Sequence, residues 1–276
     1  MTGFAIRRLE PADLPAIVTL ADGLDWRNEE RRFGLLFEFA EVYGLAQPDG
    51  ELIGTVTLTR YGSGLAAVGM MLVAKEHGGR GHGRALMEHA MSAAGDTMVV
   101  LFATAAGRPL YEKLGFVTLG VSTAHVGAYR GAVATSTDRA STADLPEIIE
   151  LDQAVTGSDR SRMLTAYLPF ADEMRVVRDG GAITAFGGRW SKPGQTVIGP
   201  LIAPDDVTAL ALADDLAAPA TGPIRIDHGE EHPALGSWAL DHGLPVVSTT
   251  SLMTNGGRPL PGDRHRWYMP VTLALG

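Results

Sequence analysis

The apolar positions of the chain alternate between short runs and longer helical patterns. Residues 68–73 and 98–102 are apolar runs of the length typical of buried strands. Between these runs, apolar residues recur at the spacing of one helix face, namely Leu86, Met87, Ala90, Met91 and Ala94. Gly95 follows, where a glycine commonly ends a helix. The pattern predicts a strand, a turn, a helix and a further strand in mixed α/β order.

The same order occurs twice. Ala-Asp-Leu-Pro at 12–15 recurs at 143–146, an offset of 143 − 12 = 131. An Asp-Gly turn at 49–50 recurs at 179–180, and residues 198–203 match the apolar run at 68–73, both at an offset of 130. Gly-Phe at 115–116 corresponds to Gly-Leu at 243–244. Features in a fixed order at a nearly constant offset indicate an internal repeat. We therefore predict an α/β protein with a mixed sheet in α+β layers, divided into domains 1–134 and 135–276.

Composition narrows the classes of function. The 276 residues include no cysteine, which excludes disulfides, thiolate zinc sites and a cysteine nucleophile. The formal charge of −9 disfavours a nucleic-acid partner and leans towards a cationic small substrate. No apolar run approaches the roughly 18 residues of a membrane span, and no signal peptide is recognisable. A soluble, cytoplasmic protein without a membrane partner is expected.

A glycine-rich turn carries the strongest chemical signal. Residues 78–84 read Gly-Gly-Arg-Gly-His-Gly-Arg between a predicted strand and a predicted helix. Glycines allow the backbone to approach a ligand, and a helix start offers free N–H groups to a phosphate. A P-loop would need Lys-Ser/Thr where Arg84 and Ala85 stand, and a dinucleotide fingerprint fails at its sixth position. The turn predicts a pyrophosphate site of another kind.

Residues 79–86 resemble the acyl-CoA motif R-G-x-G-x-G-x-x-L of GNAT N-acetyltransferases, which implies a tandem protein with acetyl-CoA as co-substrate and no metal. One departure is Gly78, where the family usually has Gln or Arg, so weakened phosphate binding is expected. The resemblance assigns the CoA contacts to Met71, Leu72, Val73, Gly78, Gly79, Arg80, Gly81, His82, Gly83, Arg84, Thr104 and Tyr111. His82 either touches CoA or points to solvent.

The segment 110–116, Leu-Tyr-Glu-Lys-Leu-Gly-Phe, resembles the family's last helix and the turn after it. The family commonly places a tyrosine of this helix beside the CoA sulfur. A phenol is protonated at neutral pH and can give its proton to a departing thiolate. Tyr111 is therefore the predicted general acid. A backbone N–H of the strand 70–73 is expected to hold the oxyanion that forms when an amine attacks the thioester directly.

The acceptor side is less specific. Glu29 or Glu30 could bind a cationic amine and pass its proton to water, and Trp26 could form a wall of the acceptor pocket. The alternative is that both glutamates form a solvated helix start and that Trp26 belongs to the core. Polar groups at 159–160 and 265–268 could also contribute across the domain boundary.

The second copy lacks the signature residues of the first. Pro-Asp-Asp-Val at 204–207 replaces the glycine-rich turn, and Ala239 stands where the repeat would place the tyrosine. We expect a degenerate GNAT-like domain that serves packing or shapes the substrate pocket. The motif His-Gly-Glu-Glu-His at 228–232 matches a zinc-peptidase pattern, but its glycine and the proline that follows disfavour the required helix.

The predicted function is acetyl transfer from acetyl-CoA to a primary amine of a small molecule or peptide. Two alternatives stay open: a non-catalytic acyl-CoA-binding sensor, and an acyltransferase that acts on a protein amine or uses a longer acyl group. A homodimer is plausible, although no residue points to one.

Overall fold

The structure is a computed structural model that describes residues 4–26, 29–131 and 136–275. Its helices are α1 Leu14–Gly23, α2 Glu30–Phe39, α3 His82–Ala94, α4 Arg108–Lys113, α5 Leu145–Thr156, α6 Ser161–Phe170, α7 Asp206–Ala217 and α8 Pro233–Asp241. None of these helices combines the length and apolar character needed to cross a membrane.

The strands of the described residues form one mixed sheet. In chain order they are β1 Ala5–Arg8, β2 Glu41–Ala46, β3 Leu52–Tyr61, β4 Leu65–Val73, β5 Met98–Ala103, β6 Phe116–Ala128, β7 Asp138–Arg139, β8 Glu173–Asp179, β9 Ala182–Lys192, β10 Gln195–Ile202, β11 Pro223–Gly229, β12 Val246–Asn255 and β13 Trp267–Met269. Across the sheet the order is β1-β2-β3-β4-β5-β12-β6-β11-β10-β9-β8-β7, and β13 pairs with β10. The predicted mixed α/β class, with two copies of one unit, is confirmed.

The two copies exchange their last strands. β12 lies between β5 and β6, pairing antiparallel with both, while β6 pairs antiparallel with β11 of the second copy. β6 begins at 116 and β12 at 246, an offset of 246 − 116 = 130 that equals the repeat offset. β12 of the second copy therefore lies beside β5, where the repeat would place β6. Likewise, β6 of the first copy lies beside β11, where the repeat would place β12.

The predicted domain division at 134/135 falls within residues 132–135, which lie outside the described residues, so it stays a prediction. Wherever the boundary lies, the strand exchange makes the first copy depend on the second. Because β12 covers the edge of β5, the first copy's sheet is completed by residues of the second. One hydrophobic cluster accordingly contains buried residues of both copies, among them Leu36, Val100, Met253 and Leu275.

Local sequence explains the elements around the site. The helix predicted from the 86–94 spacing is α3, and its buried face carries Leu86, Met87 and Ala90. Gly95 ends the helix with φ of 65°, a conformation that glycine adopts without strain. β4 and β5 are the buried strands predicted on either side of it.

Each copy contains one parallel pair of strands that separates. β4 pairs with β5 only from Leu65 to Ala67, and β10 pairs with β11 only at Thr196 and Val197. Beyond these residues the strands diverge, so a V-shaped cleft opens in each copy. The cleft of the first copy lies between the carboxyl ends of β4 and β5, where the glycine-rich turn and α4 follow.

Strand exchange predicts that the first copy does not fold alone. A chain of residues 1–134 lacks β12 and leaves the edge of β5 unpaired, so we expect aggregation or no cooperative thermal transition. Circular dichroism and sedimentation of this fragment, against the full chain, measure both. Co-expression with 135–276 is the control and should restore a soluble complex. A monomeric 1–134 fragment with a cooperative transition would contradict the proposed dependence.

Candidate active site

The turn before α3 is open to a ligand. Gly79 and Gly81 have φ of 71° and 84°, and Gly81 is the N-cap residue immediately before the helix. No heavy atom lies within 4 Å of the position that a Cβ would take on either glycine. Backbone N–H groups in such a turn, together with the positive end of a 13-residue helix, make a concave anion site. A pyrophosphate fits these residues.

The side chains of the turn differ in role. Arg80 is exposed beside the open backbone, and Arg84 makes an exposed ion pair with Glu88, Nε to Oε1 2.8 Å. His82 is neither a solvent-facing group nor a surface contact, because its ring is buried and packs on Phe4 at 4.6 Å between centroids. Burial lowers the pKa of His82, with a smaller effect from His77 and Arg80. What His82 offers a phosphate is its backbone N–H.

β4 carries a bulge at the mouth of the cleft. Thr55 pairs with Leu72 and Thr57 with Gly69, so one residue of β3 faces two of β4, Met70 and Met71. Met70 has φ of 45°, and its carbonyl accepts a hydrogen bond from Thr55 Oγ1 at 2.9 Å. A bulge removes backbone groups from the ladder and re-aims them. Both residues of this bulge, Met70 and Met71, line a cavity at the mouth of the cleft.

Past the bulge, no strand pairing with β5 is found for β4 in the part of the chain that the structure describes. Leu72 and Val73 pair with β3 on one side, and β5 has already diverged on the other. An unpaired strand edge binds an extended chain of amides through its backbone groups. The pantetheine arm of CoA is such a chain, so Met71–Val73 fit the predicted contacts.

Tyr111 lies on α4 at the opposite side of the cleft. It is buried, and its ring packs edge-on against Phe116 with centroids 6.1 Å apart. Burial raises the pKa of Tyr111 to about 12. Within the described residues its hydroxyl has no hydrogen-bond partner, and the side chain lines a cavity at the mouth of the cleft. Thr104 also lines that cavity, and its Oγ1 accepts the N–H of Gly107 at 3.2 Å.

A cavity of about 610 Å³ lies at the mouth of the cleft, between the two copies. The first copy contributes the bulge of β4, the end of β5 and Tyr111. The second copy contributes side chains of β9, β10, β11 and β12 and the segment 272–274. Both the predicted acid and the predicted oxyanion donors therefore face one enclosed space whose far wall belongs to the second copy.

The predicted acceptor residues separate. Trp26 lines the cavity and is 39% exposed, at its rim. Glu29 lines it but is 2% exposed and fully engaged: Oε2 accepts from Arg32 and Oε1 from Lys192 Nζ at 2.8 Å. Glu30 is exposed at the start of α2 and does not line the cavity. Of the predicted pair, only Glu29 lines the cavity, and its carboxylate is ion-paired with Arg32 and Lys192.

Several residues of the cavity escaped the sequence analysis. On β11, Arg225 binds Asp227 through two hydrogen bonds of 2.8 and 2.7 Å, and both line the cavity with Lys192. An Arg-x-Asp spacing in a strand does place both side chains on one face. Nothing in the sequence indicates that this face belongs to the other copy's site, because that depends on the strand exchange.

The cleft of the second copy is filled by the chain itself. β13 pairs with β10 beyond the point where β11 diverges, Leu201 with Met269. Asp205 caps α7 by accepting the N–H of Thr208 at 2.8 Å, and Asp206 accepts the Tyr268 hydroxyl at 2.9 Å. Carboxylates thus stand at the helix start where the first copy has its glycine turn, and they would repel a phosphate.

The residues predicted to contribute across the domain boundary include Arg160 and Trp267, the latter in β13. The Trp267 ring has the guanidinium of Arg160 over it at 4.6 Å and that of Arg264 at 4.4 Å. Arg160 is itself held by a buried pair with Asp152. Arg160 and Trp267 therefore pack against each other, and none of residues 159–160 and 265–268 lines the cavity of the first copy. A smaller cavity of about 350 Å³ remains beside Trp267 and Tyr268.

The zinc-like motif spans two elements. His228 lies in β11, and His232 precedes α8. Their rings face different partners: His228 Nε2 lies 3.2 Å from His125 Nε2, and His232 Nε2 lies 3.0 Å from the carbonyl of Trp267. The helix that a zinc peptidase needs is not formed by these residues.

Comparison with known families agrees with this geometry. A family model described as an acetyltransferase (GNAT) domain matches residues 40–118, and another of the same description matches 148–269. Each match lies in one copy of the repeat. The chain is a tandem GNAT acetyltransferase. The resemblance of the glycine turn and of the 110–116 segment to this family is thereby confirmed.

Similar proteins match most of the chain's length. The uncharacterised N-acetyltransferase YitH of Bacillus subtilis (strain 168) is 29% identical over 98% of this chain and 97% of its own. Holothin acyltransferase of Pseudoalteromonas sp. (strain SANK 73390) is 28% identical over 86% of this chain and 82% of its own. A crystal structure of a candidate acetyltransferase from Pyrococcus horikoshii has a TM-score of 0.85 at 19% identity, covering 100% and 97%. A tandem GNAT protein from the clavulanic acid pathway has a TM-score of 0.65 at 13% identity, covering 94% and 100%.

Gly69 supplies a test of the boundary between the copies. A Cβ on Gly69 would lie 2.2 Å from the carbonyl oxygen of Ala274. We expect Gly69→Ala to displace the 272–275 segment and to lower the free energy of unfolding by about 1–3 kcal/mol. Urea denaturation measures the change. Gly64→Ala is the matched control, because no atom lies within 4 Å of its Cβ position. Equal stability of the two variants would contradict the close approach.

Proposed function

We propose that the first copy transfers an acetyl group from acetyl-CoA directly to a primary amine of a small molecule or peptide. The observation that carries this proposal is the shared cavity, since Tyr111 and the bulge at Met70 and Met71 face it from opposite sides. The glycine turn would bind the pyrophosphate and the edge of β4 the pantetheine arm. Acetyl-CoA supplies the activated acyl group, and the chain supplies positioning and proton transfer.

The bulge and Tyr111 have complementary roles in the proposal. As the amine attacks, negative charge grows on the acyl oxygen, and a backbone N–H of the bulge stabilises it without moving. The Tyr111 hydroxyl then gives its proton to the sulfur as the C–S bond breaks, and the attacking nitrogen loses a proton to solvent water, from which the phenol is reprotonated. A pKa of about 12 keeps the phenol protonated at every physiological pH, so it acts as an acid and not as a base.

Glu29 enters the proposal as a positioning residue. Both of its oxygens are engaged, so it is poorly placed to accept a proton from the amine. It holds Arg32 of its own copy and Lys192 of the second in the acceptor wall. Trp26 would close the rim of the cavity over the acceptor.

The sensor alternative is less well supported. A protein that only bound acyl-CoA would need the glycine turn and the β4 edge. It would not need the Tyr111 phenol near the CoA sulfur, whose hydroxyl has no hydrogen-bond partner among the described residues. The alternative of another acyl group is compatible with the similarity to a holothin acyltransferase.

Removing the phenol tests the proposed acid. We expect Tyr111→Phe to lower kcat roughly 100-fold, because the thiolate would leave unprotonated, while KM for acetyl-CoA changes by less than about threefold. Thiol release with a panel of amines measures both constants. Tyr129→Phe, which loses only a hydrogen bond to Asp214, is the control. Unchanged kcat in Tyr111→Phe would assign the proton transfer to another group.

The filled second cleft predicts about one acetyl-CoA per chain. Isothermal titration calorimetry measures the stoichiometry. Gly81→Glu places a carboxylate in the turn at a left-handed φ and should abolish binding, whereas Gly194→Glu, at a left-handed φ in a surface turn of the second copy, should not. Two molecules per chain would contradict the blocked second cleft.

A further inference from the structure

Three cations and three carboxylates line the cavity, and one of these carboxylates is paired with a cation from outside the lining. Among the described lining residues, the cations are Arg32, Lys192 and Arg225, and the carboxylates are Glu29, Asp227 and Asp25. Asp25 stands at the exposed rim, where it pairs with Lys75 at 3.0 Å, a cation outside the lining. Without that neutral pair, three cations face two carboxylates, a balance of +1 in a chain whose formal charge is −9.

The two carboxylates of the inner wall are already used. Glu29 accepts from Arg32 and Lys192, and Asp227 accepts two hydrogen bonds from Arg225. A cationic group on an acceptor would have to compete with a guanidinium or an ammonium for either of them. Desolvation of an additional cation beside three others is costly.

The cations, in contrast, retain donors. Arg225 donates to Asp227 through Nε and Nη2, and within the described residues its Nη1 has no partner. Lys192 Nζ has one partner, Glu29, and an ammonium has three N–H groups. Across the cavity, Thr250 Oγ1 is buried and has no hydrogen-bond partner among the described residues. These groups are donors that an anion could accept from.

The phosphates of CoA do not account for these donors. Their predicted site is the turn 78–84, and none of its residues lines the cavity. Arg225 and Lys192 come from β11 and β9 of the second copy, on the far wall from the β4 edge. A negative group bound there would belong to the acceptor.

We propose that the acceptor carries a carboxylate in addition to its amine, and that Arg225 and Lys192 of the second copy bind this carboxylate. The inference rests on the proposed function and deepens it, since it assigns the substrate class to amino acids and related amino-carboxylates. The second copy then acts as the specificity half of the site. The amine points to the bulge of β4, and the carboxylate points to β9 and β11.

Matched pairs of acceptors test the proposal. Amino acids with increasing separation between amine and carboxylate are each compared with the corresponding amide, using thiol release from acetyl-CoA. We expect the acid of the fitting length to exceed its amide at least about tenfold in kcat/KM, as for a charge-assisted hydrogen bond. Arg225→Gln and Lys192→Gln should bring that ratio towards one by lowering kcat/KM for the acid only.

Two further variants keep the result interpretable. Arg225→Gln leaves Asp227 without its partner, so the double variant Arg225→Gln/Asp227→Asn removes the pair together and should lose the same preference. Arg258→Gln, an exposed arginine of the second copy outside the cavity lining, is the control. KM for acetyl-CoA should stay unchanged in all four variants. A preference for amides or diamines, or an acid-to-amide ratio that no variant alters, would overturn the proposal.

A binding measurement separates this proposal from the proposed function. Calorimetric titration of the CoA-saturated protein with the same acids and amides reports recognition without turnover. Selective binding of the acids with no thiol release would overturn the transferase proposal and support the carboxylate site. Turnover of amines without selectivity in binding or rate would do the reverse.

Discussion

The placement of β12 between β5 and β6 is the constraint on which the site depends. A strand inserted in this position must pair on both sides, so the second copy completes the sheet of the first and brings its neighbours with it. Ser248 and Thr250 of β12 enter the first cavity directly, and β11 follows with Arg225. Had each copy kept its own last strand, β12 would not lie beside β5, and Ser248 and Thr250 would not be carried to this edge of the first cleft.

The C-terminal segment uses the same geometry in two ways. Its strand β13 occupies the edge of β10, and residues 272–274 then reach the β4 side of the first cavity. Tyr61 donates to the carbonyl of Leu275, and Trp190 Nε1 donates to that of Val271 at 3.2 Å, so both copies anchor the segment. One segment thus closes the cleft of the second copy and forms part of the cavity beside the first.

The sequence predicts the parts of this structure that depend on local chemistry. The glycine turn, α3 and Tyr111 follow from positions within about 35 residues of one another, and the repeat offset indicates two copies of one unit. It does not distinguish exchange from separate domains, because β6 and β12 occupy equivalent positions in the two copies, and either strand could pair antiparallel with β5 or with β11. Tertiary contacts, such as the packing of Met253 in the core of the first copy, decide which arrangement forms. The periodicity of apolar residues carries no information about such contacts.

Charge shows the same limit. The sequence makes the adjacent glutamates at 29 and 30 candidates for binding a cationic amine, yet Glu30 lies outside the cavity and Glu29 accepts from a lysine 163 positions away. The isolated carboxylate would attract a cation, whereas the carboxylate between Arg32 and Lys192 presents the donors of its partners. Burial makes this inversion stronger, since a buried charge is retained only when it is paired. The sign of the site is therefore set by which charges the strand exchange brings into contact, and not by the acids that the chain carries near the motif.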